Sequence, residues 1–199
     1  LSKLPAGIQI FSLFENNKQI LDLLIDILGT SGALSEYLVK NTDVLDSVIA
    51  PEFWKVWPNR KFLLKELEVM LEREMDYEAK LDLTRRWCKE WQFRIGVHYL
   101  RSQISAVRAG AQYAELAEIT LSIIWKEVTF EFAKKFGPEP GNGAAVISMG
   151  SLGSGVLHAN SDLDLIIIYD ADGNDQSEGD RSLSARQYYS RLTKAFITA

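Results

Sequence analysis

Apolar residues recur every three or four positions through the first 136 residues, and this spacing constrains the fold most strongly. The recurring sets are Ile20, Leu24, Ile27 and Leu28; Leu64, Leu67 and Leu71; Leu83, Trp87, Trp91 and Ile95; and Ile124, Val128 and Phe132. Residues three and four apart lie on the same face of an α-helix. The sequence therefore predicts a helical bundle without β-sheet over residues 1–136, with long helices near 76–107 and 111–136. Thr42 is expected to cap the start of one short helix.

The pattern changes at Gly137. The segment GPEPGNG (137–143) is typical of a turn or linker. Two short strands are expected after it, AAVISM (144–149) and LDLIIIY (163–169), and a final helix from about Ser182. The second strand is rich in β-branched residues, which is typical of a strand covered on both faces. We thus expect a mainly α chain with two domains, a helical domain at 1–136 and the start of an α+β domain at 137–199.

Composition excludes several classes of protein. The chain has 199 residues and a net charge of −5, and this mild acidity argues against nonspecific nucleic-acid binding, which needs clustered Lys and Arg to neutralise phosphates. It has no run of about 18 or more apolar residues, so no membrane association through a transmembrane helix is expected. Cys88 is its single cysteine, which excludes an internal disulfide and fits a reducing, cytoplasmic location.

The most informative stretch is VISMGSLGSGVLHANSDLDLIIIYD (146–170), where two aspartates enter the second strand. Residues two apart in a strand point to the same side, so Asp162 and Asp164 are expected to present two carboxylates to one place. Hard divalent cations such as Mg²⁺ prefer oxygen ligands, which carboxylates and nucleotide phosphates supply. The two aspartates are therefore the candidate metal-binding and catalytic residues, and a solvated turn before a strand is the simpler alternative.

The turn after the first strand carries the candidate nucleotide-binding residues, Gly150, Ser151, Gly153 and Ser154. Glycine lets a backbone approach a phosphate closely. Backbone N–H groups and a serine hydroxyl can then hold a triphosphate. Ser151 is also a candidate helix cap, and the two roles are compatible.

This order of strand, Gly-Ser, spacer and Asp-x-Asp resembles the DNA polymerase beta-like nucleotidyltransferase superfamily. A second resemblance covers almost the whole chain, because four stretches are similar to the bifunctional glutamine synthetase adenylyltransferase/adenylyl-removing family. These stretches are LPAGIQIFSLFENNKQILDLLIDI (4–27), YLVKNTDVLDSVI (37–49), RRWCKEWQFRIGVHYLRSQI (85–104) and the 146–170 stretch.

The family resemblance implies a function and a place in a longer enzyme. A long helical segment followed by SDLDL (161–165) resembles the connector and the opening of the C-terminal, adenylylating domain. The resemblance implies Mg²⁺-dependent transfer of AMP from ATP to a tyrosine hydroxyl of glutamine synthetase. It also implies regulation by a PII signal protein and by glutamine as effector.

The chain departs from the family pattern in two ways. It has Ser151 where many members have Lys, and Gly155-Val156 where they have Arg-Glu, so basic contacts to phosphate are absent from this loop. The family also places a third carboxylate on a later strand, in a segment expected beyond Ala199. Both ends resemble fragment boundaries, and we expect the site in this segment to be incomplete.

Two other functions fit the same residues. The adenylyl-removing half of the family carries the same motif, although the order of segments favours the transferase half. Alternatively, the chain is a helical connector and docking module without catalytic activity.

Overall fold

The computed structural model describes residues 18–41, 44–173 and 175–199. Within these ranges the helices are α1 (Lys18–Thr30), α2 (Gly32–Lys40), α3 (Val44–Ile49), α4 (Arg60–Leu71), α5 (Tyr77–Leu100), α6 (Ala106–Phe136), α7 (Gly150–Gly153) and α8 (Ala185–Thr198). The strands are β1 (Gly143–Ser148) and β2 (Leu165–Asp170), and a 3₁₀ turn spans Pro51–Trp54. Every element described up to Phe136 is helical, so the mainly α fold followed by a first pair of strands is confirmed.

Local sequence explains where several helices begin. The Ser31 side chain accepts a hydrogen bond from the N–H of Leu34 at the start of α2. Asn59 does the same for the N–H of Phe62 at the start of α4. These contacts satisfy backbone donors that the first turn of a helix leaves unpaired. Thr42, the cap predicted from the sequence, lies outside the described residues.

The chain forms two compact units, which are described separately. The first consists of the described residues up to Trp57 together with Glu90–Ala109. An apolar cluster fills it, formed by Leu23, Ile27, Leu38, Val44, Val48, Phe53, Phe93 and Val97. The His98 ring stacks on Trp54 and contacts the carbonyl oxygen of Phe53 through Nε2 at 2.8 Å.

The second unit consists of Pro58–Lys89 and Gly110–Ala199. Here β1 and β2 form an antiparallel pair, with Gly143 opposite Asp170 and Ser148 opposite Leu165. One face of this pair packs with α6 and α8 in a cluster whose buried members are Val128, Phe136, Leu183, Ala185, Tyr188, Tyr189, Leu192 and Phe196. The hydroxyls of Tyr188 and Tyr189 donate to the carbonyls of Gly137 and Pro140, which fixes the turn before β1.

The structure corrects several details of the sequence interpretation. Leu28 is 56% exposed, and Leu23 is buried in its place. Leu63, rather than Leu64, is fully buried beside Leu67 and Leu71. The long helices span Tyr77–Leu100 and Ala106–Phe136, because a turn separates them near residue 103.

The expectation that β2 is covered on both faces is wrong for this chain. Ile166 and Ile168 are 48% and 57% exposed, while Leu165 and Ile167 face the cluster. Alternation along a strand places these pairs on opposite faces, and α8 covers only one of them.

The domain boundary expected at residue 137 remains a prediction, because the compact units group segments from both sides of it. No helix in the described part of the chain has the length and apolar composition needed to cross a bilayer.

Candidate functional site

The antiparallel ladder brings the two predicted parts of the site together. It ends where Ser148 pairs with Leu165. The next residue, Met149, donates its N–H to the carbonyl of Asp164 at 2.8 Å. The register of the strands therefore sets the end of β1 directly against the aspartate that precedes β2.

Gly150 makes the closest contact with this aspartate. It has φ +54°, and a Cβ built on it would lie 2.4 Å from Oδ2 and 3.4 Å from Cγ of Asp164. Such a distance is below any real contact, and left-handed backbone is costly for residues with a side chain. Glycine is therefore required here, and the backbone at the start of the turn lies against the Asp164 carboxylate.

The turn after β1 is closed by its own hydrogen bonds. Gly153 donates its N–H to the carbonyl of Met149 at 2.9 Å, and the N–H of Ser154 donates to Gly150 at 3.1 Å. The Ser154 hydroxyl donates to the carbonyl of Ser151 at 2.8 Å. Gly150, Ser151, Gly153 and Ser154 are all exposed. The predicted nucleotide-binding residues thus form one ordered, solvent-facing turn.

Asp162 and Asp164 both lie on exposed, non-helical chain just before β2. Their oxygen donors fit a hard divalent cation, and the missing side chain of Gly150 leaves the Asp164 carboxylate accessible. Among the described residues, no group of three or more His, Cys, Asp or Glu side chains could hold a metal ion. Asp162 and Asp164 therefore stay the predicted metal ligands, and the incomplete site stays a prediction.

A small apolar cluster supports the loop between the turn and the aspartates. Leu152 and Leu157 are 2% and 4% exposed and pack with Ala114 of α6. The N–H of Leu157 donates to the carbonyl of Gly110, also in α6, at 3.0 Å. The sequence interpretation missed this support, and the signal available was a lone glycine within an otherwise strongly helical segment.

Comparison with known proteins identifies the family. A family model for glutamate-ammonia ligase adenylyltransferase matches residues 21–199. The bifunctional glutamine synthetase adenylyltransferase/adenylyl-removing enzyme of Mesorhizobium japonicum is 38% identical over 100% of this chain. Enzymes with the same name from Brucella suis and Bartonella quintana are 37% and 36% identical over the same extent.

The chain covers 20% of the length of each of these relatives, or about a fifth. The match to the family model extends over nearly all of the chain and includes both the helical part and the turn with its aspartates. The chain therefore belongs to the glutamate-ammonia ligase adenylyltransferase family.

Proposed function

We propose that this chain is a segment of a longer enzyme that transfers AMP from ATP to a tyrosine hydroxyl of glutamine synthetase. The observation that carries this proposal is the contact between Gly150 and Asp164. It joins a glycine-serine turn to an Asp-x-Asp segment across the end of one antiparallel strand pair. Nucleotidyl transfer needs phosphate-holding backbone and metal-holding carboxylates at one place, and the contact between the turn and Asp164 supports this assignment.

The residues have separate roles in this proposal. Asp162 and Asp164 hold Mg²⁺, and the turn at 150–154 holds the ATP phosphates through the backbone N–H groups at its start and the Ser151 hydroxyl, because the N–H groups of Gly153 and Ser154 and the Ser154 hydroxyl donate within the turn. When bound, the metal neutralises charge on the phosphates and on the leaving pyrophosphate. The protein contributes mainly position, because the reaction requires the attacking hydroxyl and the α-phosphorus to be held in line.

The proposed partners come from the same family membership. The names of the relatives support glutamine synthetase as the target protein. The proposal also includes a PII signal protein and glutamine as regulators, and a cytoplasmic location. It places the adenylyl-removing activity, which those names also contain, in another part of the longer enzyme.

The test is to replace Asp164 or Asp162 by Asn in the longer enzyme. Asparagine keeps the shape but removes the charge that holds a cation. We expect AMP transfer to fall by about 100-fold or more, because a metal contributes several kcal/mol of charge stabilisation. AMP transfer to glutamine synthetase is measured with labelled ATP, and removal of AMP from modified glutamine synthetase is measured in parallel.

Asp180→Asn is the matched control, because Asp180 is an exposed loop carboxylate that belongs neither to the turn nor to the Asp-x-Asp segment. It should leave both activities unchanged. Loss of AMP removal with AMP transfer retained would assign the segment to the adenylyl-removing half. Retention of both activities in the Asp162 and Asp164 variants would favour a non-catalytic docking module.

The segment alone is proposed to be inactive, since the described residues contain no group of three or more His, Cys, Asp or Glu side chains that could hold a metal ion. The 199-residue chain and the longer enzyme are compared at equal concentration with ATP, Mg²⁺ and glutamine synthetase. Equal rates of AMP transfer would contradict the proposal that the site is incomplete.

A further inference from the structure

We infer that Gly110, within helix α6, is a positioning residue for the candidate site, an inference that rests on the proposed function. Gly110 is separated by forty residues or more from the turn and the aspartates in sequence. Its backbone nevertheless contacts the loop that joins them. Gly110 thereby sets where both parts of the site are held relative to α6.

The contact between Gly110 and the loop is backbone to backbone. The Leu157 N–H donates to the Gly110 carbonyl at 3.0 Å. A Cβ on Gly110 would lie 2.7 Å from Cγ1 of Val156 and 3.2 Å from the carbonyl oxygen of Leu157. Glycine disfavours a helix compared with alanine, and Gly110 lies inside a 31-residue helix. Close approach of the loop is the structural reason for glycine at this position.

Buried side chains next to the contact between Gly110 and the loop also fix the loop on α6. Leu157 is 4% exposed and Leu152 is 2% exposed, and both pack against Ala114, one turn beyond Gly110 in α6. Leu152 belongs to the turn after β1, and Leu157 belongs to the loop before the aspartates. The helix therefore anchors both segments through two leucines and one backbone hydrogen bond.

Short hydrogen-bonded steps connect this anchor to the candidate site on both sides. Toward the turn, the Val156 N–H donates to the carbonyl of Ser151 at 3.1 Å. Toward the aspartates, the His158 N–H donates to Ser161 Oγ at 3.0 Å, and the Ser161 N–H donates back to His158 at 3.1 Å. Asp162 follows directly. A displacement at residues 156–157 is thus passed to Ser151 and to Asp162.

Gly110→Ala in the longer enzyme tests this inference. The new methyl group must push Val156 and the Leu157 carbonyl away from α6, while the helix itself gains from alanine. We expect kcat for AMP transfer at saturating ATP to fall about tenfold per folded enzyme, because small misplacements are costly when catalysis depends on position. The temperature of thermal unfolding should fall by at most a few degrees.

Two further variants make the test specific. Gly29→Ala is the matched control, since a Cβ there would meet nothing within 4 Å, and it should leave kcat unchanged. Val156→Ala removes the atom nearest to the new methyl group, so the double variant Gly110→Ala/Val156→Ala should recover most of the lost kcat. A role of Gly110 limited to stability predicts instead a lower unfolding temperature with unchanged kcat per folded enzyme.

Hydrogen exchange of the Leu157 amide provides a readout that does not depend on activity. Exchange should be faster in Gly110→Ala and return toward the original rate in the double variant. The inference is overturned if Gly110→Ala keeps full kcat while Asp164→Asn loses it. Full activity of Asp164→Asn would instead refute the proposed function, whatever Gly110→Ala does.

A replacement variant covers the case in which Gly110→Ala does not fold. Leu157→Ala leaves α6 unchanged and removes one buried anchor of the loop. It should lower kcat for AMP transfer and accelerate exchange of the amide at position 157. Unchanged kcat in a folded Leu157→Ala enzyme would overturn the inference.

Discussion

The two faces of the β1–β2 pair differ in what covers them. The covered face, formed by Ala144, Val146, Leu165 and Ile167, packs into the cluster with α6 and α8. The open face consists of Ala145, Ile147, Ile166 and Ile168, and its three isoleucines are 40%, 48% and 57% exposed. Both faces are similarly apolar, so side-chain composition alone does not distinguish them.

This difference shows that an apolar strand sequence indicates which faces could be buried. Whether a face is buried depends on a second element that packs against it. Residues Leu165–Tyr169 form an unbroken apolar run. Helix α8 supplies Tyr188, Tyr189 and Leu192, all at most 1% exposed, to one side only. The open face remains an apolar surface of the kind that associates with other protein segments.

The largest expected effect is on the covered face, in Leu192→Ala. Leu192 is fully buried, so the change leaves a cavity and should reduce the free energy of unfolding by about 2–5 kcal/mol. Urea unfolding followed by tryptophan fluorescence measures the change. Ile197→Ala is the control on the same helix, because Ile197 is 75% exposed, and it should change stability by at most about 0.5 kcal/mol. If both variants lost the same free energy of unfolding, Leu192 would not lie on the buried side of α8.

Neighbouring positions of β2 offer the most direct comparison of the two faces. Ile167→Thr places a hydroxyl against the cluster and should cost about 1–3 kcal/mol. Ile166→Thr adds the same hydroxyl on the open face, where water can solvate it, and should change stability by less than about 0.5 kcal/mol. Light scattering should also show less self-association for Ile166→Thr. If the two variants lose equal stability, the two faces are not different.

The covered face also depends on buried hydroxyl groups. Tyr188→Phe removes the hydrogen bond to the Gly137 carbonyl and should cost about 0.5–1.5 kcal/mol at pH 7. Burial, with a smaller effect of Glu139, raises the pKa of Tyr188 to about 12. Because the folded pKa is raised, this contribution is complete below the unfolded value of about 10 and is lost as the pH rises toward 12.

Urea unfolding of both proteins between pH 8 and pH 11 checks this prediction. The stability difference between wild type and Tyr188→Phe should narrow in the alkaline range. Tyr99→Phe serves as the control, since Tyr99 is 52% exposed. It should change neither the free energy of unfolding nor its dependence on pH. A difference that stays constant to pH 11 would show that the Tyr188 hydroxyl does not titrate as described.

The smallest expected effect concerns Glu139, at the polar margin of the covered face. Burial raises the pKa of this carboxyl, although the N–H of Ala144 partly opposes the change. A raised folded pKa means that the contribution to stability is present at low pH and is lost as the pH rises through it. Glu139→Gln should therefore be slightly more stable than wild type at pH 7, and the gain should disappear below about pH 4. Unfolding curves at pH 7 and below about pH 4 measure the difference in stability between Glu139→Gln and wild type. Glu178→Gln is the control, because Glu178 is exposed. A stability gain that persists at low pH would exclude ionisation of Glu139 as its cause.

The helices could be predicted from the sequence, but the exact face that each one buries could not. In α1 apolar residues surround much of the helix, so a spacing of three or four fits more than one stripe. Ile20 and Ile27 are buried as the spacing predicts, but Leu23 is buried and Leu28 is exposed, contrary to the expected stripe. Periodicity gives the interval between contacts, whereas the neighbouring helices select which stripe is buried.

The candidate site was predictable where its residues are close in sequence. Strand, turn and Asp-x-Asp follow each other within 25 residues, and the ladder brings Gly150 against Asp164. The support from Gly110 could not be predicted, because its contact with Leu157 joins residues far apart in the chain. A glycine in a helix indicates close packing but does not name the segment that packs there.

The ladder register has a consequence for how the chain tolerates changes in length. Six residue pairs fix β1 against β2, and the contact between Gly150 and Asp164 follows from that register. An insertion near Ala159, between the strands, leaves every pair in place but interrupts the hydrogen-bonded turn from His158 to Ser161 that precedes Asp162. A single-residue deletion within β2 shifts the pairing of the residues on one side of it by one position and turns their side chains to the other face. Length variation between the strands therefore preserves the strand pairing, whereas length variation inside them does not.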